Sequence, residues 1–281
     1  MQEERPDSEQ LLKRLKYEER EQEKRTRGRL KIFLGYAAGS GKTYAMLEAA
    51  HEAKAHGIDV AAGYIEPHDR PDTQALTKGL EMLPPAFMEY KGLKLREFDL
   101  DGALKRKPQL LLVDELARAN PEGCRHARRY QDVEELLKAG IDVYTTVNAQ
   151  NIESLSDIAA TIMKHSIKDR IPDDVFDRAD QVELIDIEPQ ELMERLKCGT
   201  IDEKQGKNPP AEAYFSIENL TALREIALRR CADRINRSGD RRGTDRGEDL
   251  FVEEHILVCL SAAPSNARIV RTAARMAQVF H

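Results

Sequence analysis

The chain has no long apolar run. Its uninterrupted hydrophobic stretches last only a few residues, far short of the roughly 18 needed to span a bilayer, and no charged start leading into an apolar segment marks a secretory signal. A cytoplasmic protein is expected, with any membrane attachment supplied from outside these residues. An excess of positive charge is missing as well. The formal net charge is −6, with acidic and basic residues interspersed, which argues against nucleic acid as a partner because neutralising phosphates takes a basic face. Cysteines are few and scattered: Cys124, Cys198, Cys231 and Cys259 form no Cys-x-x-Cys pair and lack paired histidines. Neither a zinc site nor a disulfide framework is indicated, and free thiols are expected. No internal repeat is visible. What remains is a 281-residue chain with 41% hydrophobic residues, enough for one large domain or two with an ordinary core.

The most informative segment is GYAAGSGKT, from Gly35 to Thr43, which follows the apolar run LKIFL and precedes the helix-like YAMLEAAHEAKAHG. Strand, glycine loop and helix in that order are the parts of a phosphate-binding P-loop. Successive backbone N–H groups of such a loop, with the positive end of the following helix, make a cavity for triphosphate oxygens. ATP with Mg²⁺ is the expected ligand, held at Gly39, Ser40, Gly41, Lys42 and Thr43. Lys42 would reach the β- and γ-phosphates and Thr43 would put its hydroxyl on Mg²⁺. One position departs from the strict pattern, which asks for glycine five places before Gly41. That place is Tyr36, with Gly35 one residue too early, so room for phosphates depends on the Tyr36 side chain pointing away. The plain alternative is a glycine turn that only joins a strand to a helix.

A second piece, QLLLVDELARAN, carries the apolar run Leu110 to Val113 followed by Asp114 and Glu115, and reads as a buried strand ending in two acids. A P-loop enzyme needs one carboxylate at such a strand end to hold the Mg²⁺ shell, and Asp114 fits that role. Glu115 stands where a water-activating base sits in many ATPases and is the candidate catalytic residue. A solvated strand terminus would carry the same acidic pair.

The pattern along the chain predicts an α/β fold, P-loop NTPase-like, with a mostly parallel sheet flanked by helices and a truncated second α/β unit at the C-terminus. Residues 1–29, dominated by Glu, Arg and Lys, read as a charged arm or helix. From Leu30 strands and helices alternate, as parallel strands with crossover helices do. LKIFL, DVAAGYIE, the Asp114 strand, IDVYTTVN and QVELIDI are the strands, and FMEYKGLKLREFD reads as an extended pair turning at Lys91 and Gly92. RRYQDVEELLKAG is a helix closed by Gly140, IESLSDIAATIMKH one capped by Asn148 or Asn151, and PQELMERLKCG another with Pro189 in its first turn. ENLTALREIALRRCADRINR is the longest helix, with Leu220, Leu223, Ile226, Ala227 and Ile235 on one face and Arg224, Arg229, Arg230 and Arg234 on a solvated one. The nucleotide-binding domain is expected over 30–237, and the Gly, Asp and Arg run at 238–250 reads as a linker. HILVCLS and a helix from Asn266 to Phe280 open a further unit over 251–281, expected to pack poorly by itself.

Five strings in order resemble one family, the amino-terminal cytoplasmic domain of the KdpD potassium-responsive sensor histidine kinase: GYAAGSGKTYAML, EPHDR at Glu66 to Arg70, DELARANPEGCRHARRYQDVEELL, TTVNAQNIESLSD and ALREIALRRCADR. The resemblance covers Leu30 to Asn236, and HILVCLS looks like the opening of the universal-stress-protein domain that follows in that family. It implies an ATP-binding regulatory domain of a two-component potassium and osmotic-stress system, at the cytoplasmic face of the membrane when joined to a full sensor. Its partners would be the membrane and kinase parts of that sensor, in cis or in trans, with a homo-oligomer also open. The family's loops read close to ETHGR and DELAH, so Pro67, Asp69 and Arg118 are departures. None of the seven histidines lies in a phosphoacceptor context. His51 in HEAK begins like one but lacks the Thr-Pro end and reads as a surface residue. The chain is therefore expected not to autophosphorylate by itself and to be at most a weak ATPase.

Weaker candidates remain. His68 and Arg70 follow a strand end, where ligands of α/β sheets sit. Asn148 suits either a γ-phosphate sensor or a helix cap. Arg125, His126, Arg128 and Arg129 form a basic patch that reads as a solvated helix start, a partner contact or a charge stabiliser for a neighbouring subunit. A nucleotide-dependent signalling module, an independent ATPase or small-molecule kinase, and a structural adaptor that leaves its loop unused are the competing functions.

Overall fold

The computed structural model describes residues 27–66, 71–90, 93–197, 216–243, 258 and 266–279. Most of the predicted N-terminal arm, Pro67 to Arg70 of EPHDR, the Lys91 and Gly92 turn, Cys198, the later part of the predicted linker and HILVCLS apart from Val258 lie outside these residues.

Six strands make one sheet in which every pairing is parallel, and its order is β3-β2-β6-β7-β1-β8. In chain order, β1 (Leu30–Gly35) leads through the glycine loop into α1 (Lys42–Ala55), then β2 (Val60–Tyr64), α2 (Pro71–Thr77) and the short edge strand β3 (Glu81–Met82). The antiparallel hairpin β4 (Ala86–Tyr90) and β5 (Leu93–Glu97) stands apart from the main sheet and leads to α3 (Leu100–Arg106) and β6 (Leu110–Val113). Next come α4 (Arg129–Lys138), β7 (Asp142–Asn148), a 3₁₀ turn (Ala149–Asn151), α5 (Glu153–Met163), α6 (Asp173–Asp177) and β8 (Gln181–Leu184). Helices α7 (Pro189–Lys197), α8 (Ile217–Gly243) and α9 (Asn266–Val279) complete the described chain. The predicted α/β architecture, a parallel sheet flanked by helices, is what forms.

The sequence explains which strands are central. LKIFLG, VAAGY and LLLV are nearly continuous apolar runs, and such strands need a covered face on both sides. In β1, Leu30, Ile32 and Leu34 point into one core with Leu111, Val113, Val143 and Val147. Phe33 points into the opposite core with Met46, Leu47 and Ala50 of α1 and with Leu110 and Leu112. The edges are more polar: both residues of β3 are exposed and QVEL of β8 is only half-buried. Gly35 pairs with Asn148, Leu34 with Leu184, and Val113 with both Tyr64 and Thr145. The carboxyl ends of β1, β2, β6, β7 and β8 therefore share one rim, where ligands of open α/β sheets bind.

Expectations for α5 and α8 change. The N-terminus of α5 is capped by neither Asn148 nor Asn151. Asp173 reaches across from α6, its carboxylate accepting from Ser154 N at 2.9 Å and Ser154 Oγ at 2.6 Å. On α8, Leu220, Leu223 and Ala227 are buried as expected, but Ile235 is exposed. The arginine face is not solvated: Arg230 is fully buried, pairing with Asp177 at 2.6 Å and Asp173 at 3.3 Å over the Phe176 ring. Arg224 is paired too, Arg234 donates to the Ala179 carbonyl, and of the four only Arg229 is largely in water. The helical backbone of α8 runs to Gly243, into the stretch predicted as linker from Ser238. Helix α9 touches α5 through polar contacts, with Arg271 Nε donating to Asp157 at 2.7 Å and Arg275 to the Ser154 carbonyl at 2.7 Å, while its Ile269, Val270 and Met276 side chains are exposed.

Candidate functional site

The loop between β1 and α1 is shaped by glycine. Gly39 and Gly41 have φ of 87° and 95°, left-handed values that a β-carbon disfavours. Gly35 is needed for a different reason: an added β-carbon would lie 2.1 Å from Ser40 Oγ and 2.9 Å from Lys42 Cδ. Gly41 caps α1 without a side-chain hydrogen bond, and the first turn of α1 holds no acidic residue. Its initial N–H groups and the positive end of the helix dipole thus face the loop without a carboxylate from the helix's own first turn. Lys42 Nζ donates to the Ala37 carbonyl at 3.1 Å. Tyr36, the departure from the strict pattern, is fully buried, and its hydroxyl donates to the Ile187 carbonyl at 3.0 Å. Its ring belongs to the core and leaves the loop's concave side clear. Burial pushes the phenol up to about 12, partly opposed by Arg224.

Asp114 follows β6 directly and is almost completely buried. Its carboxylate accepts from Thr43 Oγ1 at 3.2 Å, from Glu115 N at 3.1 Å, from Glu66 N at 3.3 Å and from the Thr146 hydroxyl. The structure thus joins the end of the glycine loop to the acid 71 residues later. Thr146 of β7, the strand lying between β1 and β6, is a site residue that motif reading missed. Two adjacent buried threonines, Thr145 and Thr146, in a central strand were the signal available.

Glu115 occupies a left-handed position, φ 58°, which turns the chain sharply after β6. Burial, reinforced by the nearby Asp114 and Glu66 charges and opposed by Arg118, pushes its carboxyl up to about 7. Arg118 is the hub of a second network that sequence reasoning did not foresee. Its guanidinium donates to Glu66 Oε2 at 2.8 Å, Glu97 Oε1 at 3.0 Å and Glu115 Oε2 at 3.2 Å. Fully buried Arg129 takes the other Glu97 oxygen at 3.0 Å and lies over the Tyr64 ring, whose hydroxyl donates to Glu66. Glu97 ends β5, so the network ties the β4–β5 hairpin to the acidic strand end.

The remaining candidates separate. The side-chain amide oxygen of Asn148, a residue opposite Gly35, is buried and has no hydrogen-bond partner among the described residues. The basic patch is not one: Arg125 pairs with Asp101 and Glu135, His126 with Asp132, Arg128 with Asp169, and Arg129 is interior. His51 is half-buried, donating to the Leu76 carbonyl at 2.7 Å and so pinning α1 to α2. His68 and Arg70 lie outside the described residues. Among the described residues no group of three or more His, Cys, Asp or Glu is placed to hold a metal, and no helix is long and apolar enough to cross a membrane.

The family described as "Osmosensitive K+ channel His kinase sensor domain", KdpD, matches residues 26–235. The chain belongs to the KdpD family. It is 53% identical over 280 residues to "Sensor protein KdpD" of Clostridium acetobutylicum, covering 99% of this chain and 31% of that protein. The Escherichia coli "Sensor protein KdpD" is 44% identical over 89% of this chain and 28% of its own length. A "Putative sensor protein KdpD" of Synechocystis is 43% identical over 89% of this chain and 67% of its length. The resemblance carried by the five motif strings is borne out, over nearly the expected span. The chain spans about a third of the Clostridium and Escherichia KdpD proteins. Arg118, a departure from the expected KdpD string, is not an idle substitution, because it holds three carboxylates together.

Proposed function

We propose that the glycine loop is a P-loop that binds ATP with Mg²⁺, and that the chain is the nucleotide-binding regulatory part of a KdpD-type potassium and osmotic-stress sensor. The contact of Thr43 Oγ1 with Asp114 at 3.2 Å carries this reading. A hydroxyl opening a helix and a carboxylate ending a second parallel strand are the two oxygen donors a P-loop brings to Mg²⁺. The fit is good in other respects. Gly39, Ser40, Gly41 and Lys42 supply N–H groups and an ammonium at a helix start without acids of its own, and Asn148 brings an unpaired oxygen to the neighbouring strand end. With a single carboxylate at hand, the cation would keep phosphate and water ligands, as Mg²⁺ does in phosphate-transferring sites. The ammonium of Lys42 would exchange the Ala37 carbonyl for phosphate oxygens, a gain in charge-assisted bonding.

The membrane and kinase parts of the sensor, in cis or in trans, are the proposed readers of the nucleotide state, on the cytoplasmic side. One observation favours a second reading, an ATPase or small-molecule kinase: Glu115, with its carboxyl pushed to about 7 beside Asp114, has the proton affinity of a general base working near neutral pH. Titration with ATP, with and without Mg²⁺, followed by phosphate release separates the two. The regulatory reading expects Mg²⁺-dependent binding and slow release, since Arg118, the arginine beside Glu115, is already engaged by Glu66, Glu97 and Glu115. Release at about 1 s⁻¹ or faster, lost in Glu115→Gln, moves the assignment to the enzyme.

A further inference from the structure

We infer that Tyr36 and Arg224 connect the glycine loop to α8, making this long helix the element that carries the state of the loop outward. The inference rests on the nucleotide reading of that loop and adds the route by which occupancy is read.

The route consists of three contacts. First, the Tyr36 side chain is locked in the core while its backbone belongs to the loop, and its hydroxyl bonds to the carbonyl of Ile187, 151 residues later. A rigid ring with one polar anchor transmits displacement of its backbone instead of absorbing it, because packed interiors leave no slack. Second, the segment after β8 that carries Ile187 also flanks the loop at its other end. Ile185 N donates to the Leu34 carbonyl at 2.7 Å, and Ile185 Cγ2 lies 3.8 Å from where a β-carbon on Gly41 would stand. Third, Arg224 of α8 grips the same segment from outside. Its Nε and Nη2 donate to the two Asp186 oxygens at 2.8 and 2.6 Å, and Nη1 donates to Glu188 at 2.7 Å. A planar guanidinium bound at three points fixes orientation as well as distance.

Phosphate binding perturbs this chain at its first link. Lys42 Nζ now holds the Ala37 carbonyl at 3.1 Å, next to Tyr36. Moving that ammonium to phosphate oxygens releases the carbonyl, while the loop N–H groups gain a partner. The two arrangements of residues 36–42 therefore differ in what they bond, which is the differential interaction a ligand needs to shift an equilibrium. Helix α8 is placed to respond. Leu220, Leu223 and Ala227 are buried in its N-terminal half, and the helix touches β8 and the 3₁₀ turn after Asn148, on the same rim as the loop. Its backbone then continues as helix to Gly243. If Tyr36 merely filled the core and Arg224 merely decorated the surface, removing either polar contact would leave the response of α8 to nucleotide intact.

Hydrogen exchange of the whole chain, with and without saturating Mg-ATP, tests this. In the parent, nucleotide should slow exchange by about tenfold in residues 184–188 and 217–230 as well as in the loop itself, a coupling within the usual allosteric range. Arg224→Gln should bind Mg-ATP as the parent does and protect residues 35–43, yet leave 217–230 unchanged. Tyr36→Phe, which keeps the ring and removes only the hydroxyl, should lose the response in both distant segments. The inference is overturned if parent protection stops at the loop, or if either variant transmits it in full. A parent that takes up no Mg-ATP would overturn the nucleotide reading itself, and the coupling with it.

Discussion

At the scale of single residues, the loop's demands are steric before they are chemical. A β-carbon on Gly35 would stand 2.1 Å from Ser40 Oγ and 2.9 Å from Lys42 Cδ, contacts that force those two side chains to shift. Gly35→Ala should therefore cost about 1–3 kcal/mol in denaturant unfolding, the range for overpacking a fitted site, and should lose Mg-ATP binding beyond what stability explains. Glu115 gives a prediction in pH. Its carboxyl is pushed from 4.5 to about 7 in the fold, so the folded chain holds a proton there that the unfolded chain has released. Stability from this group is thus full below about pH 4.5 and lost as pH rises through about 7. Glu115→Gln, which cannot ionise, should flatten that decline and melt above the parent at pH 8 while matching it near pH 5. Parallel pH profiles for the two proteins would show that Glu115 ionises freely in the fold.

Among the elements, what the sequence revealed and what it hid follow from different physics. Nearly continuous apolar runs identified β1, β2 and β6, because a strand covered on both faces has few polar residues to interrupt it. The two residues of β3 are too short to show any period. The α5 cap was misplaced because Asn148 and Asn151 are near in sequence, whereas the group that caps it, Asp173, arrives from another helix. Long-range pairing also hid Arg230. An arginine among arginines reads as surface, yet Asp173 and Asp177 of α6 let this one be buried. The meeting of the glycine loop with Asp114 was legible, since Gly39, Gly41, Lys42, Thr43 and Asp114 lie in recognisable strings. The Arg118, Glu66 and Glu97 network was not, because its members come from three separate segments. Arg230→Ala should destabilise the fold by about 2–4 kcal/mol in chemical unfolding, near the lower end for breaking a buried pair because both aspartates keep some contact with water. A change within 0.5 kcal/mol would mean that α8 is held by its apolar face alone.

For the molecule as a whole, topology turns scattered strings into one place. Because β7 lies between β1 and β6, the ends of three adjacent parallel strands present Gly35, Asn148 and Asp114 along one rim, and the loop before α1 closes over it. The same rim carries the segment after β8 and, through it, α8. In the proposed regulatory reading, a nucleotide bound at this edge of the sheet would reach elements distant in the chain. Everything rests on the loop binding Mg-ATP, and calorimetric titration of the parent and Lys42→Ala with ATP in Mg²⁺ measures that most directly. The parent should bind in a Mg²⁺-dependent manner, and Lys42→Ala, with an unchanged unfolding midpoint, should not bind measurably. Equal affinity in the two proteins, or no binding by the parent, would contradict the account.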